Sequence, residues 1–523
     1  MRAPTLSAIL SLVAVLGCEP STRYVAGLPW GEPAGPTRGG RGLAGAGGDA
    51  GRIWLSTYGD IRVKASPSVD PAPVPRVPAL DLGTNPRTIS VDATLSGDNP
   101  LGDDGATVAT GLWVKGGATL TVDRGWLTVA GPILIDGTVT SPYDADFSAR
   151  VSIDLTGVAI VVGSTGVVDV SAGPEGGPGS VGLWTPYVDG AVVVQGSITA
   201  RGRDGASPTA GGAVELSSSG EVVVDGVLDA RGGSAAGGEG GAGGTVVLGG
   251  SGPAASEFPT RVHVTGEIHL RGGDGPSAGG TGGWLEAWAL DASVLTGIID
   301  AAGGDSTSLA GGGGTIHVAA VRSWIVGRIG APGGIGKGSG LGGAGGQLLV
   351  YGGGYLSGSI DLTGGEGAVG AAGGFLMVEA GDPVAMLPIV LAGFDPLASD
   401  GGDGIAGGGA GGTFEVNGNA VDLEVSLSAS AGSALENRPG GVGGTVQIHG
   451  TSLTCRSIVS NGGDAAASSG GLGGAVTLTS AAGTVIDGTV TVRGGRGRPD
   501  GRYGWVTVDD VVRTVHDDGV YTP

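Results

Sequence analysis

Basic residues are scarce in this chain of 523 residues: 27 Lys and Arg stand against 49 Asp and Glu, a formal charge of −22. Phosphate binding needs basic clusters, so the balance excludes nucleic acid and anionic membrane surfaces as partners and leaves cations and neutral glycans. Glycine is abundant, at 116 residues, but a strict Gly-X-Y period is missing and collagen is excluded. The low hydrophobicity of a disordered chain is missing too, because 40% of the residues are apolar and many are β-branched valines in alternating register. No helical period is found. Nor does any nucleophile elbow, P-loop, zinc-spaced Cys/His set or dinucleotide fingerprint occur where a fitting element exists. Calcium-binding nonapeptide repeats are absent as well.

What is present is a repeat of about 30 residues. Its mark is Gly-Gly-x-apolar-x-apolar, as in GGTVVL from Gly243, GGWLEA from Gly282, GGTIHV from Gly313, GGQLLV from Gly345, GGFLMV from Gly373, GGTFEV from Gly411, GGTVQI from Gly443 and GGAVTL from Gly473, with a looser GGAVEL from Gly211. A fixed period in this range means stacked units sharing one core. In one unit, Gly226 to Gly233 supplies a first short strand, Thr245 to Leu248 a second and Val262 to Thr265 a third. Period-2 alternation makes each strand half-buried, and glycine pairs give the positive φ or the close approach that sharp corners demand.

Three short strands per unit without helices predict an all-β, right-handed parallel β-helix of about twelve rungs, a rod of roughly 55–60 Å. Stacked rungs predict interior columns. One contains Val214, Val246, Leu285, Ile316, Leu348 and Phe414; another contains Leu216, Leu248, Val318, Val350, Val416 and Ile448. Weaker rungs open near Trp113, so the solenoid is expected over 113–508. Exposed ends need caps, assigned to residues 79–112 and 509–523. Residues 18–78 are expected to be a tether containing a polyproline spacer from Pro67 to Pro78. Within it, residues 39–64 carry a stray rung-like piece, GGDAGRIWLSTYGDIRV, that is expected to dock on the rod.

The N-terminus is an address label. Met1-Arg2 precedes an apolar run from Leu6 to Leu16 that is too short for a mature span. Its end, Val15-Leu16-Gly17-Cys18, resembles a bacterial lipobox. The resemblance implies a signal peptide over 1–17 and a lipid on Cys18. Cys455 is then unpaired, no disulfide framework exists, and stability has to come from stacking. Glu19 rather than Asp after the cysteine implies the outer membrane or cell surface, with simple secretion as the alternative.

Two outward columns carry chemistry. Arg201, Asp229, Arg231, His269, Arg271 and Asp300 form a polar patch in which His269 sits one rung from each of two carboxylates. A histidine so flanked suits general acid catalysis, while the arginines suit acidic sugars. The competing reading is a charge-paired exposed strand. Asp204, Asp274, Asp305, Glu366, Asp403 and Asp464 follow the glycine pairs; they offer calcium ligands at rung spacing or, more simply, turn aspartates bonding their own backbone. Inserts at Gly252 to Arg261 and Gly381 to Ile389 fall on one corner, which marks a binding side. Trp284, Trp288 and Trp324 lie on neighbouring rungs and could stack sugar rings.

The motifs GGxGGTVxL and G-I-x-A-x-GGxG, as in Gly226 to Leu248 and Gly297 to Val318, resemble the glycine-rich right-handed β-helical surface proteins and adhesin-like lipoproteins of Gram-negative bacteria, myxobacteria among them. The resemblance implies a non-enzymatic surface lipoprotein without cofactor: an acidic rod for adhesion or envelope structure, whose partners are glycans or surface proteins. The alternative is a polysaccharide lyase or hydrolase, by analogy of fold alone. An ice-binding face ranks below both, because Thr245, Thr315, Thr413 and Thr445 are interrupted by Trp284, Gln347 and Phe375. Oligomeric state is not legible.

Overall fold

The computed structural model describes residues 36–64, 82, 86–95, 111–122, 126–144, 149–174, 176–187, 189–249, 258–380, 386–393 and 396–523. All of them belong to one compact unit, Gly35–Pro523. The signal peptide, Cys18, Pro67 to Pro78 and most of both corner inserts lie outside the described residues.

The described chain is all-β, a parallel β-solenoid with about 31 residues per turn. Three faces follow the three strands of the repeat. Face one stacks Ser197–Thr199, Val227–Asp229, Glu267–His269 and Ile298–Asp300 in parallel. Face two stacks Ala213–Ser218, Thr245–Leu248 and Trp284–Trp288, continuing into Thr315–Ile325. Face three stacks Glu221–Val224, Arg261–Val264 and Ala292–Leu295. Alternation decides what lies inside: Val214 pairs with Val246, Val246 with Leu285 and Leu285 with Ile316, and each is fully buried. The second column behaves alike, from Leu216 through Leu248 and Val318 to Val416. Burying such side chains contributes about 1.5–3 kcal/mol each. Face three is buried on its outer side too, at Val193, Val223, His263, Val294 and Tyr355.

The glycine pairs serve close approach. A Cβ on Gly244 would collide with the carbonyl oxygen of Gly212, and one on Gly283 with that of Gly244. Neither glycine has a positive φ, so room between turns is the requirement at this corner.

The stray rung-like piece does more than dock: it is a turn of the solenoid. Strand Arg52–Thr57 pairs in parallel with Phe375–Ala380 on one side and Thr413–Asn417 on the other. Strand Ile61–Lys64 lies between Ile389–Ala392 and Val421–Leu423 in the same way. On face one, the Leu362 N–H donates to the Pro36 carbonyl and the Gly39 N–H to that of Asp400. Ile53, Leu55, Ile61 and Val63 complete the interior columns with no exposed surface. Polar contacts hold the edges. Thr37 Oγ1 donates to Ser399 Oγ at 2.7 Å, which donates to the Gly51 carbonyl at 3.0 Å. Asp49 Oδ1 accepts from the Ala410 N–H at 2.7 Å, and Arg52 pairs with Glu415. Residues 36–64 are therefore part of the rod, and the expected tether does not include them.

The expected N-terminal cap also contributes ordinary turns. Arg87–Ile89 and Ala93–Leu95 pair in parallel with Leu112–Val114 and Leu120–Val122. At the other end the direction reverses. Val511–Arg513 folds antiparallel onto Val506–Val508 through Asp509 and Asp510, both at positive φ (49° and 59°). That is the backbone of a two-residue hairpin matched to strand twist. Val520–Tyr521 closes antiparallel on Val490–Thr491, so the last edges are no longer templates for further parallel strands.

Candidate functional site

The polar patch of face one forms as the register requires: Asp229 stands opposite His269, and His269 opposite Asp300. The side chains pair otherwise. Arg231 donates to Asp229 twice, Nε to Oδ1 at 2.9 Å and a terminal nitrogen to Oδ2 at 2.6 Å. Burial pushes the Asp229 carboxyl up, but hydrogen bonds from the Arg231 side chain and backbone and the charges of Arg231 and His269 outweigh it and hold the group below its usual range. His269 Nε2 lies 2.9 Å from Glu267 Oε2, a neighbour two residues back on its own strand. Asp300 Oδ1 accepts from the Ala302 N–H. Arg201 pairs with Asp204 at 3.0 Å, and Arg271 lies 3.5 Å from Asp274 and 3.7 Å from Asp305. The imidazole is thus tied to Glu267 and not suspended between Asp229 and Asp300.

The acidic column has a clear structural task. Asp204, Asp274, Asp305, Asp403 and Asp464 each accept, through Oδ1, the N–H of the residue one turn further on: Ser234, Asp305, Ile335, Ser433 and Arg496, at 2.7–2.9 Å. These carboxylates staple consecutive turns. Lys337 adds an ion pair to Asp305 at 3.1 Å. Glu366 enters through its backbone carbonyl, which accepts from Gly336. Among the described residues no group of three His, Cys, Asp or Glu side chains is placed to hold a metal.

A third region is built from aromatic side chains at the corner between faces two and three, the corner of the two inserts. Period 2 puts Trp284, Glu286 and Trp288 on the outside of one strand. Both indoles donate to Glu286, Trp284 to Oε1 at 3.0 Å and Trp288 to Oε2 at 3.3 Å. Rings then follow along the rod. Phe258 stacks on Trp288 with centroids 5.9 Å apart, Trp288 meets His317 edge-on at 4.8 Å, and His317 meets Tyr351 at 4.9 Å. Burial lowers the His317 pKa against the upward pull of Glu286, so the ring is neutral at pH 7.

Beside the rings runs a groove of about 370 Å³ lined by Phe258, Trp288, Leu290, Val321, Tyr351 and Leu387. A second, more polar groove of about 550 Å³ continues past Tyr58, Glu379, Asn417 and His449, and Ala380 borders both. Trp324 is elsewhere, on the outer side of face three between Val294 and Tyr355, with its indole nitrogen buried and without a hydrogen-bond partner. Sequence reasoning found Trp284 and Trp288 but missed Glu286, His317 and Tyr351. The register carried the signal, since His317 stands opposite Glu286, and Tyr351 lies two turns from Trp288 through Ala319.

No protein-family model, no curated protein and no solved structure matches this chain.

Proposed function

We propose that this chain is a non-enzymatic surface lipoprotein, held by a lipid on Cys18, whose acidic β-solenoid serves adhesion. The observation that carries the adhesive part is the aromatic corner. Trp288, His317 and Tyr351 recur at spacings close to the 4.8 Å pitch of the turns, beside grooves that continue along the axis. A surface that repeats along a rod suits a ligand that repeats along a chain, and aromatic rings suit the apolar faces of sugars. The net charge disfavours acidic glycans and favours neutral ones.

The test combines a glycan array with a reducing-end assay on the purified rod. Binding to neutral glycans that is lost in Trp288→Ala and Tyr351→Ala, without release of reducing ends, supports the reading. Release of reducing ends would transfer the chain to the lyase or hydrolase class, and an absence of binding would leave an envelope scaffold. Lipidation is tested separately, by mass spectrometry of the mature N-terminus and by release of the Cys18→Ser variant from membranes.

A further inference from the structure

The turn formed by residues 36–64 is a separate piece of chain seated in a slot. Its walls are Phe375–Ala380 with Ile389–Ala392 below, and Thr413–Asn417 with Val421–Leu423 above. The two walls follow one another in sequence, Ile389–Ala392 coming just ahead of Leu397–Ala398, so the occupant is not part of the chain that joins them. We propose that the slot also takes residues 36–64 of a second copy of this chain, so that copies join by exchanging one turn.

Three observations carry this. First, the contacts are specific to this segment. Ile53, Leu55, Ile61 and Val63 fill the columns, Thr37 meets Ser399 and Arg52 meets Glu415, and an identical chain presents the same groups. Exchange of identical elements needs no new interface, and completion of a sheet by a donated strand draws on the same backbone pairing. Second, the walls lie more than 300 residues beyond the segment, so during synthesis the segment exists long before its seat.

Third, the two ends of the connection lie far apart along the rod when the segment is seated within one chain. From Arg87–Ile89 to Ile61–Lys64, face three passes eleven strand pairings. At 4.8 Å each, that is about 53 Å. The 23 steps from Lys64 to Arg87 reach roughly 76 Å when fully extended, so the seat within one chain uses about seven-tenths of the full reach. A connection that must cover most of its reach has few arrangements left, which lowers the effective concentration of the segment at its own slot. A neighbouring copy carries no such demand.

The experiment uses two full-length chains, both with Cys18→Ser, one carrying Thr37→Cys and the other Ser399→Cys. The parent hydroxyls are 2.7 Å apart, within reach of a disulfide once replaced. After the two are folded together and oxidised, the expected product is a covalent dimer containing one disulfide between positions 37 and 399, rising in proportion as concentration is raised tenfold. A single chain carrying both substitutions is the control for a filled slot. If that control cross-links within itself while the mixed chains stay monomeric, the proposal is overturned. Removing residues 66–77 leaves eleven steps, about 36 Å, too short for the seat within one chain. That variant should be dimeric with residues 36–64 protected from protease, and a monomer cleaved in that segment would contradict the proposal. Should the shortened chain fail to fold, the mixed pair alone decides.

Discussion

Truncating the interior of the inserted turn, with Ile53→Ala and Leu55→Ala together, should weaken the rod locally. Both side chains are fully buried. Large-to-small changes at such sites cost about 2–5 kcal/mol each, so the pair should cost at least about 4 kcal/mol. The loss falls on the docking of residues 36–64, whose backbone pairs on both sides with chain from the last third of the sequence. In a stack each turn touches only its neighbours, so the damage should stay near the slot. Every 1.4 kcal/mol is a factor of ten, and amide exchange in Phe375–Ala380 and Thr413–Asn417 should therefore accelerate by about a thousandfold if local opening governs it. Val214 to Leu216, five pairings away, should keep its protection. Exchange measured by mass spectrometry reads both regions in one experiment. Uniform acceleration along the chain, or none at the slot, would refute the reasoning.

Gly283→Val places a side chain against the Gly244 carbonyl and should destabilise by about 1–3 kcal/mol; an unchanged melting temperature would count against the tight corner. His263 is buried, and desolvation first, with the nearby Arg261 charge, lowers its pKa to about 4. The unfolded chain binds this proton below about pH 6.5 and the folded chain only near 4, so stability is constant above 6.5 and falls by roughly 2–3 kcal/mol between 6.5 and 4. His263→Phe should flatten that part of the pH–stability curve, and an equal slope in the variant would rule out His263 as its source. Asp305→Ala removes the acceptor for the Ile335 N–H and should cost about 1 kcal/mol, while Asp305→Asn keeps it. A chelator should leave the melting temperature of the parent protein unmoved, and a drop would instead assign the column to calcium.

The interior columns were legible because alternation is local: each Gly-Gly-x-apolar-x-apolar motif states which two residues point inward, and stacking does the rest. The rung-like character of residues 39–64 was legible for the same reason. Its seat was not, because pairing between Leu55 and Val378 spans more than 300 residues and no local pattern names the partner. The polar patch shows a different limit. Its register was correct, but Arg231 reaches Asp229 and Glu267 reaches His269 along the same strand, and these short-range pairs took the groups expected to face one another across turns. At the aromatic corner the tryptophans were visible as single residues, whereas the ring sequence from Phe258 to Tyr351 exists only once the register is known.

Cross-linking in register tests the central claim most directly. Trp54 stands opposite Met377 on one side and Glu415 on the other, at a spacing of about 4.8 Å that a disulfide spans. In a Cys18→Ser chain, Trp54→Cys should cross-link with Met377→Cys and, separately, with Glu415→Cys, and should not do so with Val247→Cys. Formation of neither bond, or equal formation of all three, would contradict a solenoid in which the N-terminal segment is one of the turns.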